Sequence, residues 1–313
     1  MLTQVWLAPM AGVTDSPFRK MVCEFGASAV ISEMVSSEAV KRGNDKTYKR
    51  LMKSPNNYRK IIQIMGCNPE TMAESAKINA DLGADEININ MGCPARKVIN
   101  ANSGSALMRD EKLAVSIADH VVKAVGIPVS VKMRLGWDDA NKNAVSLAKK
   151  LQNVGVCSIG VHGRTRAQEY SGHADWNEVG LVKQAVQIPV WCNGDINTYD
   201  DADKALEQSR CDGIMVGRGA LGRPWLLAQL FAYLNGMPVP VDPDIETQLE
   251  IVLRHFDLTL SFYGCDAGIK IFRKHFCWYS KGLKNSAEFR IKINSLENID
   301  EIRETVKCFY YTC

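Results

Sequence analysis

Along the first two-thirds of the chain, short β-branched runs alternate with longer stretches that carry apolar residues at helical spacing. That rhythm predicts a parallel sheet whose strands are joined by helices. Eight strands are expected, near residues 5–7, 29–32, 61–64, 86–90, 129–133, 158–161, 190–193 and 213–216. The helices between them have readable starts. Asn68-Pro69-Glu70 combines an N-cap, a proline at the first helical position and an early acid, and Met72, Ala76 and Ala80 then share one face. Eight strand–helix units in succession fit the usual ~250-residue size of a (β/α)8 TIM barrel and disfavour an open doubly wound sheet.

The rhythm stops at 235–243, where three prolines and a glycine read as a linker. Beyond it, residues 245–263, 268–280 and 286–311 look helical and show no strand-like alternation. The expected organisation is therefore a barrel over residues 1–236 and a small all-α domain over 237–313.

Composition narrows the class. With 46% hydrophobic and 23% charged residues, the 313-residue chain can bury a sizeable core. A net charge of +3 is too weak to indicate a nucleic-acid partner by itself. No apolar run is long enough to cross a bilayer, and the N-terminus lacks the features of a signal peptide. Ten cysteines without a C-x-x-C pair suggest reduced thiols in a cytoplasm and neither disulfides nor zinc.

Active sites of such barrels lie at the C-terminal ends of the strands. The first strand runs into Ala8-Pro9-Met10-Ala11-Gly12-Val13-Thr14-Asp15, whose small residues either let backbone approach a flat ligand or simply make a tight turn. Gln63 carries an amide suited to an imide-like ring edge, although such a residue is often a satisfied barrel position. Lys132 calls for an anionic partner, since an unpaired buried ammonium is costly. His162-Gly163-Arg164-Thr165-Arg166 would add a cationic cluster at the same mouth. Cys192-Asn193-Gly194-Asp195 and Val216-Gly217-Arg218-Gly219 place glycines where backbone N–H groups can cradle a phosphate, with Arg218 as its charge partner. A phosphorylated flavin suits this set better than a metal, because no cluster has metal-ligand spacing. In Asn90-Met91-Gly92-Cys93-Pro94, Cys93 sits just past a strand end. A free thiol has a pKa of ~8.5, so it is mostly protonated near neutrality and can donate a proton.

These segments together resemble the bacterial tRNA-dihydrouridine synthases. Ala8 to Asp15, Asn90 to Pro94, His162 to Thr165, Asn193-Gly194-Asp195 and Gly217-Arg218-Gly219 match in order, and Arg273-Lys274-His275 with Trp278-Tyr279 is most similar to the B subgroup. The resemblance covers nearly the whole chain. It implies FMN in the barrel mouth, NADPH as reductant and a uridine of the tRNA D-loop as substrate. By motif, Pro9, Met10, Ala11, Gln63, Lys132, His162, Asn193, Gly194, Asp195, Gly217 and Arg218 would hold the flavin. Cys93 would protonate uracil C5 as hydride from reduced flavin N5 reaches C6, and Asn90 would orient the ring. Lys132 beside the pyrimidine edge would stabilise the anionic reduced cofactor.

A base inside folded tRNA must be everted to reach a barrel pocket, and phosphates must supply most of the binding energy. Lys41, Arg42, Lys46, Lys49, Arg50 and Lys53 form one basic run. Lys270, Arg273, Lys274, Lys281, Lys284, Arg290 and Lys292 form another, with Trp278 and Tyr279 between them. Either run could equally be a solvated face with aromatics in the local core. Within this reading, Arg273 and Lys274 are the expected RNA contacts, and the protein is expected to be a cytoplasmic monomer with no membrane or metal partner. A small-molecule FMN reductase and a non-catalytic tRNA-binding scaffold are the competing readings.

Overall fold

The computed structural model describes residues 2–27, 29–41 and 59–312. Eight parallel strands close into a barrel: β1 (Gln4–Leu7), β2 (Ala29–Ile31), β3 (Lys60–Met65), β4 (Glu86–Met91), β5 (Val129–Arg134), β6 (Ser158–His162), β7 (Val190–Asn193) and β8 (Gly213–Val216). Each pairs with its neighbours in chain order. The β1–β8 and β2–β3 pairs, with Leu7 opposite Val216 and Val30 opposite Lys60, complete the ring. Every expected strand is present, to within one residue at each end, and a two-residue strand, Val35–Ser36, adds to the edge of β3. The architecture is a (β/α)8 TIM barrel followed by helices.

Alternation along the strands sorts the side chains into two layers. In β4, Ile87, Ile89 and Met91 join the apolar layer beneath the outer helices, whereas Glu86, Asn88 and Asn90 take the other face. In β5, Val129, Val131 and Met133 lie outward and Ser130, Lys132 and Arg134 lie inward. A separate apolar cluster of Trp6, Ile31, Ile61, Trp191 and Met215 fills part of the barrel interior, with the two indole rings 4.5 Å apart. The interior is thus packed on one level and polar on another, and the polar level meets the mouth.

The helix Pro69–Asp81 begins as its sequence implies, with the Asn68 side chain accepting from the Thr71 amide at 2.7 Å. Met72 and Ala76 are fully buried, while Ala80 lies half-buried at the edge of that face. After β8 and the helix Leu226–Leu234, residues 235–244 have no helix or strand. Four helices follow, Ile245–Tyr263, Cys265–Tyr279, Ser286–Ser295 and Ile299–Tyr311. The single helical stretch expected over 286–311 is in fact two. Asn298 breaks it by turning its side chain onto the Asp300 and Glu301 amides, at 2.9 and 3.1 Å, and capping a new helix.

These helices share a second apolar core built on Phe256, Phe272, Phe276, Phe289 and Phe309, and it reaches the barrel through Met21 and Trp225. The main seam lies on the barrel helix Ser16–Glu24. Phe18 packs against the His255 and His275 rings, with centroids at 5.6 and 5.7 Å, and Arg254 grips Glu24 with two bonds of 2.8 and 2.9 Å. A second seam needs Gly222, with φ +74°. A Cβ there would lie 2.4 Å from the Trp278 carbonyl oxygen, so only glycine lets the loop after β8 approach this helix. No helix among the described residues is long and apolar enough to cross a membrane.

Candidate active site

A cavity of about 750 Å³ opens at the C-terminal ends of the strands. Pro9, Met10, Ala11, Gln63, Asn90, Cys93, Lys132, His162, Asn193, Gly194, Asp195, Gly217 and Arg218 all line it. Thirteen of the fifteen residues singled out in the sequence therefore converge on one space; Arg273 and Lys274 do not line it.

Cys93 is fixed from three sides. The Asn90 side-chain oxygen accepts from the Gly92 and Cys93 amides at 3.1 and 3.0 Å, closing the turn that carries the thiol. The Cys93 carbonyl accepts from the Ser105 amide and hydroxyl at 3.1 and 2.8 Å. Arg134, almost wholly buried, donates from Nε to the Gly92 carbonyl at 2.8 Å. Burial pushes the Cys93 thiol above its ordinary pKa, opposed by the Ala95 amide and the Arg134 charge. The thiol thus stays protonated at neutral pH.

Gln63 heads a polar chain that crosses the barrel. Asn90 Nδ2 donates to Gln63 Oε1 at 2.7 Å, Gln63 Nε2 to Asn88 Oδ1 at 2.7 Å and Asn88 Nδ2 to Ser130 Oγ at 2.8 Å. Ser130 donates in turn to the buried Glu86 carboxylate, which Arg59 pairs at 2.7 Å. Gln63 therefore keeps one N–H and one lone pair for anything in the cavity. Asn90, expected to orient a ring, spends its carbonyl on the Cys93 turn.

Lys132 is the cationic floor of the cavity. It is buried, and its Nζ donates at 2.7 Å to Asn193 Oδ1, a neutral partner. Burial first, and the Arg134 charge second, bring its pKa down to about 7. An ammonium held here without a carboxylate fits an anionic ligand, which would restore its charge.

The other basic groups divide differently from the expected cationic cluster. His162 lines the cavity, but burial, aided by the Lys132, Arg134, Arg164 and Arg218 charges, holds its pKa well below the ordinary value, so the ring is neutral. Arg164 Nη1 lies 3.2 Å from His162 Nε2; a guanidinium only donates, which leaves the ring proton on Nδ1. Arg164 is itself buried and turned onto the Ser171 and Gly172 carbonyls and Asp195, because an unpaired guanidinium could not stay dry there. Partial burial raises the Asp195 pKa, but the Arg164 hydrogen bond, the Ala174 amide and the Arg164 and Arg218 charges outweigh it and hold the carboxyl below its usual range. Asp195 pairs with Arg218 at 3.0 Å, and Arg218 remains half-exposed at the mouth. Gly194, with φ +117°, is required here: a Cβ would lie 2.8 Å from the His162 ring.

The helical segment contributes unequally. Trp278 lines the cavity, whereas Tyr279 is buried in the helical core with its hydroxyl 3.1 Å from His255 Nδ1. Lys274 donates from Nζ to the Gly12 carbonyl, while Arg273 Nη2 reaches the Leu296 carbonyl at 3.3 Å. Lys41 pairs with Glu74 at 2.9 Å; Arg42, Lys46, Lys49, Arg50 and Lys53 lie outside the described residues. Among the lining residues that the sequence does not mark as site candidates are Arg134 and Tyr170. Arg134 stands two positions after Lys132 on β5, so strand periodicity puts both on one face and could have revealed it. Tyr170, 55% exposed under the Arg218 guanidinium at 4.8 Å, carries no sequence signal. Among the described residues no group of three or more His, Cys, Asp or Glu side chains could hold a metal ion.

A family model described as dihydrouridine synthase (Dus) matches residues 6–311. A probable tRNA-dihydrouridine synthase of Rickettsia bellii is 49% identical over 309 residues, covering 98% of this chain and 95% of that protein. The tRNA-dihydrouridine synthase B of Pseudomonas aeruginosa is 44% identical over 305 residues, covering 97% and 92%. Among solved structures, a 2-naphthoyl-CoA reductase superposes with a TM-score of 0.59 at 12% identity, over 75% of this chain and 50% of that one. Histamine dehydrogenase from Rhizobium sp. 4-9 gives 0.58 at 12% identity, over 82% and 49%. The chain spans about half the length of these two structures, and the likeness concerns the fold.

Proposed function

The chain belongs to the dihydrouridine synthase family, an oxidoreductase family, and from that premise we propose that it reduces the C5–C6 double bond of a D-loop uridine in tRNA, with FMN as cofactor and NADPH as reductant. The observation that carries this reading is the placement of a protonated, rigidly held Cys93 in the same cavity as the anion-seeking Lys132.

The residues suit a flavin mononucleotide. Lys132 and the Nδ1–H of His162 offer donors to an electron-rich ring edge, and Gln63 keeps one donor and one acceptor for an imide. Pro9, Met10 and Ala11 supply a close wall for a planar ring, while Asn193 holds Lys132 in place. The glycine turns at Gly194 and Gly217 offer backbone amides to a phosphate, with Arg218 as its charge partner. Asp195 acts there by orienting Arg164 and Arg218, since its own carboxylate would repel a phosphate. FMN held by these residues would, once reduced by NADPH, supply the hydride for uracil C6. Cys93 supplies the proton for C5, and burial keeps that proton on sulfur until the substrate arrives. Asn90 and Arg134 position the thiol, and the mouth formed by Tyr170, Arg218 and Trp278 admits an everted base.

The test is to purify the protein, record its visible spectrum and incubate it with NADPH and unmodified tRNA before nucleoside analysis. Flavin absorption with dihydrouridine formation is the expected result. Flavin-loaded protein that oxidises NADPH but leaves the RNA untouched would favour a small-molecule reductase.

A further inference from the structure

On the rim of the barrel, Trp137 is enclosed by two arginines. The Arg109 guanidinium lies 4.2 Å from one indole ring centroid and that of Arg166 lies 4.5 Å away. We propose that this stack is an anchor for a phosphodiester of the RNA strand flanking the everted nucleotide. The inference rests on the RNA-substrate reading above and adds to it a surface remote from the helical segment.

Three structural facts support the assignment. First, the stack is rigid. Arg166 N donates to the Gly136 carbonyl and Ala167 N to the Trp137 carbonyl, both at 2.9 Å, so the loops after β5 and β6 are laced together. Trp137 N closes its own loop on the Asn141 carbonyl at 3.2 Å. Contact with the indole restrains the two guanidinium groups before any ligand arrives, which lowers the entropy lost on binding.

Second, the charges are uncommitted. Neither guanidinium forms an ion pair among the described residues, and Arg166 Nε is buried without a hydrogen-bond partner. The acids next to Arg109 and Trp137 in sequence are spent on backbone. Asp110 caps the Leu113 amide at 3.0 Å, and Asp138 accepts from the Ala140 and Asn141 amides at 3.1 and 2.9 Å. Each guanidinium lies over the indole, and its terminal N–H groups are what remains for a ligand. Such donors fit phosphate oxygens, whereas an indole flanked by cations is not free to stack on a base.

Third, the stack sits in the right place. Arg109 belongs to the segment after β4, Trp137 to the loop after β5 and Arg166 to the loop after β6. In an eight-strand ring these lie across the mouth from β1 and β2, where Lys274 and the seam at Phe18 bring the helical segment down. The same β6 loop carries Tyr170 to the cavity. A strand that delivers one base into the cavity must be held on both sides of it. The helical segment bounds one side, and the Arg109–Trp137–Arg166 stack provides the other.

The experiment is equilibrium binding of unmodified tRNA, over a salt series, to the flavin-loaded protein and to its Arg109→Gln, Arg166→Gln and double variants. Losing one phosphate contact lowers the slope of log affinity against log salt by about 0.7–0.9, so the double variant should lose roughly twice that, with affinity at low salt down by about tenfold or more. Unchanged flavin content serves as the folding control. Parental slope and affinity in a flavin-loaded double variant would overturn the proposal. Should Arg166→Gln lose its flavin, the exposed Arg109→Gln variant decides alone, by the presence or absence of its single-contact loss. A parental protein with no salt-dependent affinity for tRNA would instead remove the RNA reading, and this anchor with it.

Discussion

Arg134 and Gly92 are joined by a 2.8 Å hydrogen bond from the guanidinium Nε to the carbonyl, one peptide before the thiol of Cys93. The same guanidinium donates from Nη1 to the Thr165 and Glu169 carbonyls at 2.8 and 2.9 Å. One buried side chain therefore sets the loop that holds Cys93 against the loop that holds Tyr170. A lysine at this position keeps the charge but cannot span three carbonyls with a planar fork. Arg134→Lys is expected to lower kcat for dihydrouridine formation by about 10- to 100-fold, the cost of a misplaced reacting group. The thermal midpoint should also fall by several degrees as buried carbonyls lose donors. Parental kcat in this variant would show that Cys93 is positioned without Arg134.

In the proposed reaction Cys93 supplies a proton and makes no nucleophilic attack. Burial lifts its thiol above the ordinary value, so the acid form persists across neutrality. Turnover is expected to be flat through neutral pH and to fall only in the alkaline range, in parallel with a rising rate of thiol alkylation. Cys93→Ala should lose about 10²- to 10⁴-fold in turnover, the range of a general acid. Its flavin should remain bound and reducible by NADPH. Turnover that survives the substitution would place the proton on another donor or on water.

The barrel was legible because its strands are bounded by glycine, proline and capping signals, and because β4 and β5 alternate polar with apolar residues. The lining residues were legible because barrel topology sends every strand end to one mouth; knowing the strand order is enough to bring Cys93, Lys132 and Arg218 together. What could not be read was how each side chain spends its hydrogen bonds. Arg164 follows His162 by two positions, yet it is buried behind the ring and fixes the ring's proton, because Asp195 sits there in a left-handed turn with φ +57°. Trp278 and Tyr279 are neighbours in sequence, but helix geometry sends one to the cavity and the other to the core. Such partitions depend on packing between distant segments, which local patterns do not encode.

If Lys132 faces the proposed FMN, cofactor binding is expected to be sensitive to pH. Its pKa lies at about 7, depressed by burial, and an anionic ligand would raise it. Affinity of the flavin-free protein for FMN should therefore hold steady below neutrality. Above it, affinity should weaken by up to about tenfold per pH unit, until the pKa of the complex is reached. Binding should be accompanied by proton uptake from the buffer near and above neutrality. Lys132→Met is expected to bind FMN weakly and to flatten the profile. An affinity that did not change from about pH 7 to 9 would mean that Lys132 is already fully charged before the flavin binds.

The paired imidazoles at the seam predict acid sensitivity of the whole fold. His255 and His275 lie with ring centroids 4.6 Å apart and are buried between Phe18 and Phe272. Burial, reinforced by the Lys274 charge, pushes His255 down to about 3, and His275 is held well below its ordinary value by burial and the adjacent His255. An unfolded histidine titrates near ~6.5, so between that pH and about 3 the unfolded chain binds protons that the folded chain refuses. The fold keeps its full stability above the unfolded value and loses up to about 1.4 kcal/mol per histidine for each pH unit below it. His275 suits the test, because neither of its ring nitrogens has a hydrogen-bond partner among the described residues and its ring stacks on Phe272. His275→Phe should therefore leave stability at pH 7 unchanged or slightly raised, and it should lessen the acid loss seen in urea titrations by up to about 1.4 kcal/mol for each pH unit below ~6.5, with His162 and His255 left to carry the rest. An equal acid loss in parent and variant would mean that His275 already carries its proton in the fold, and that the seam between barrel and helices is wetter than its burial implies.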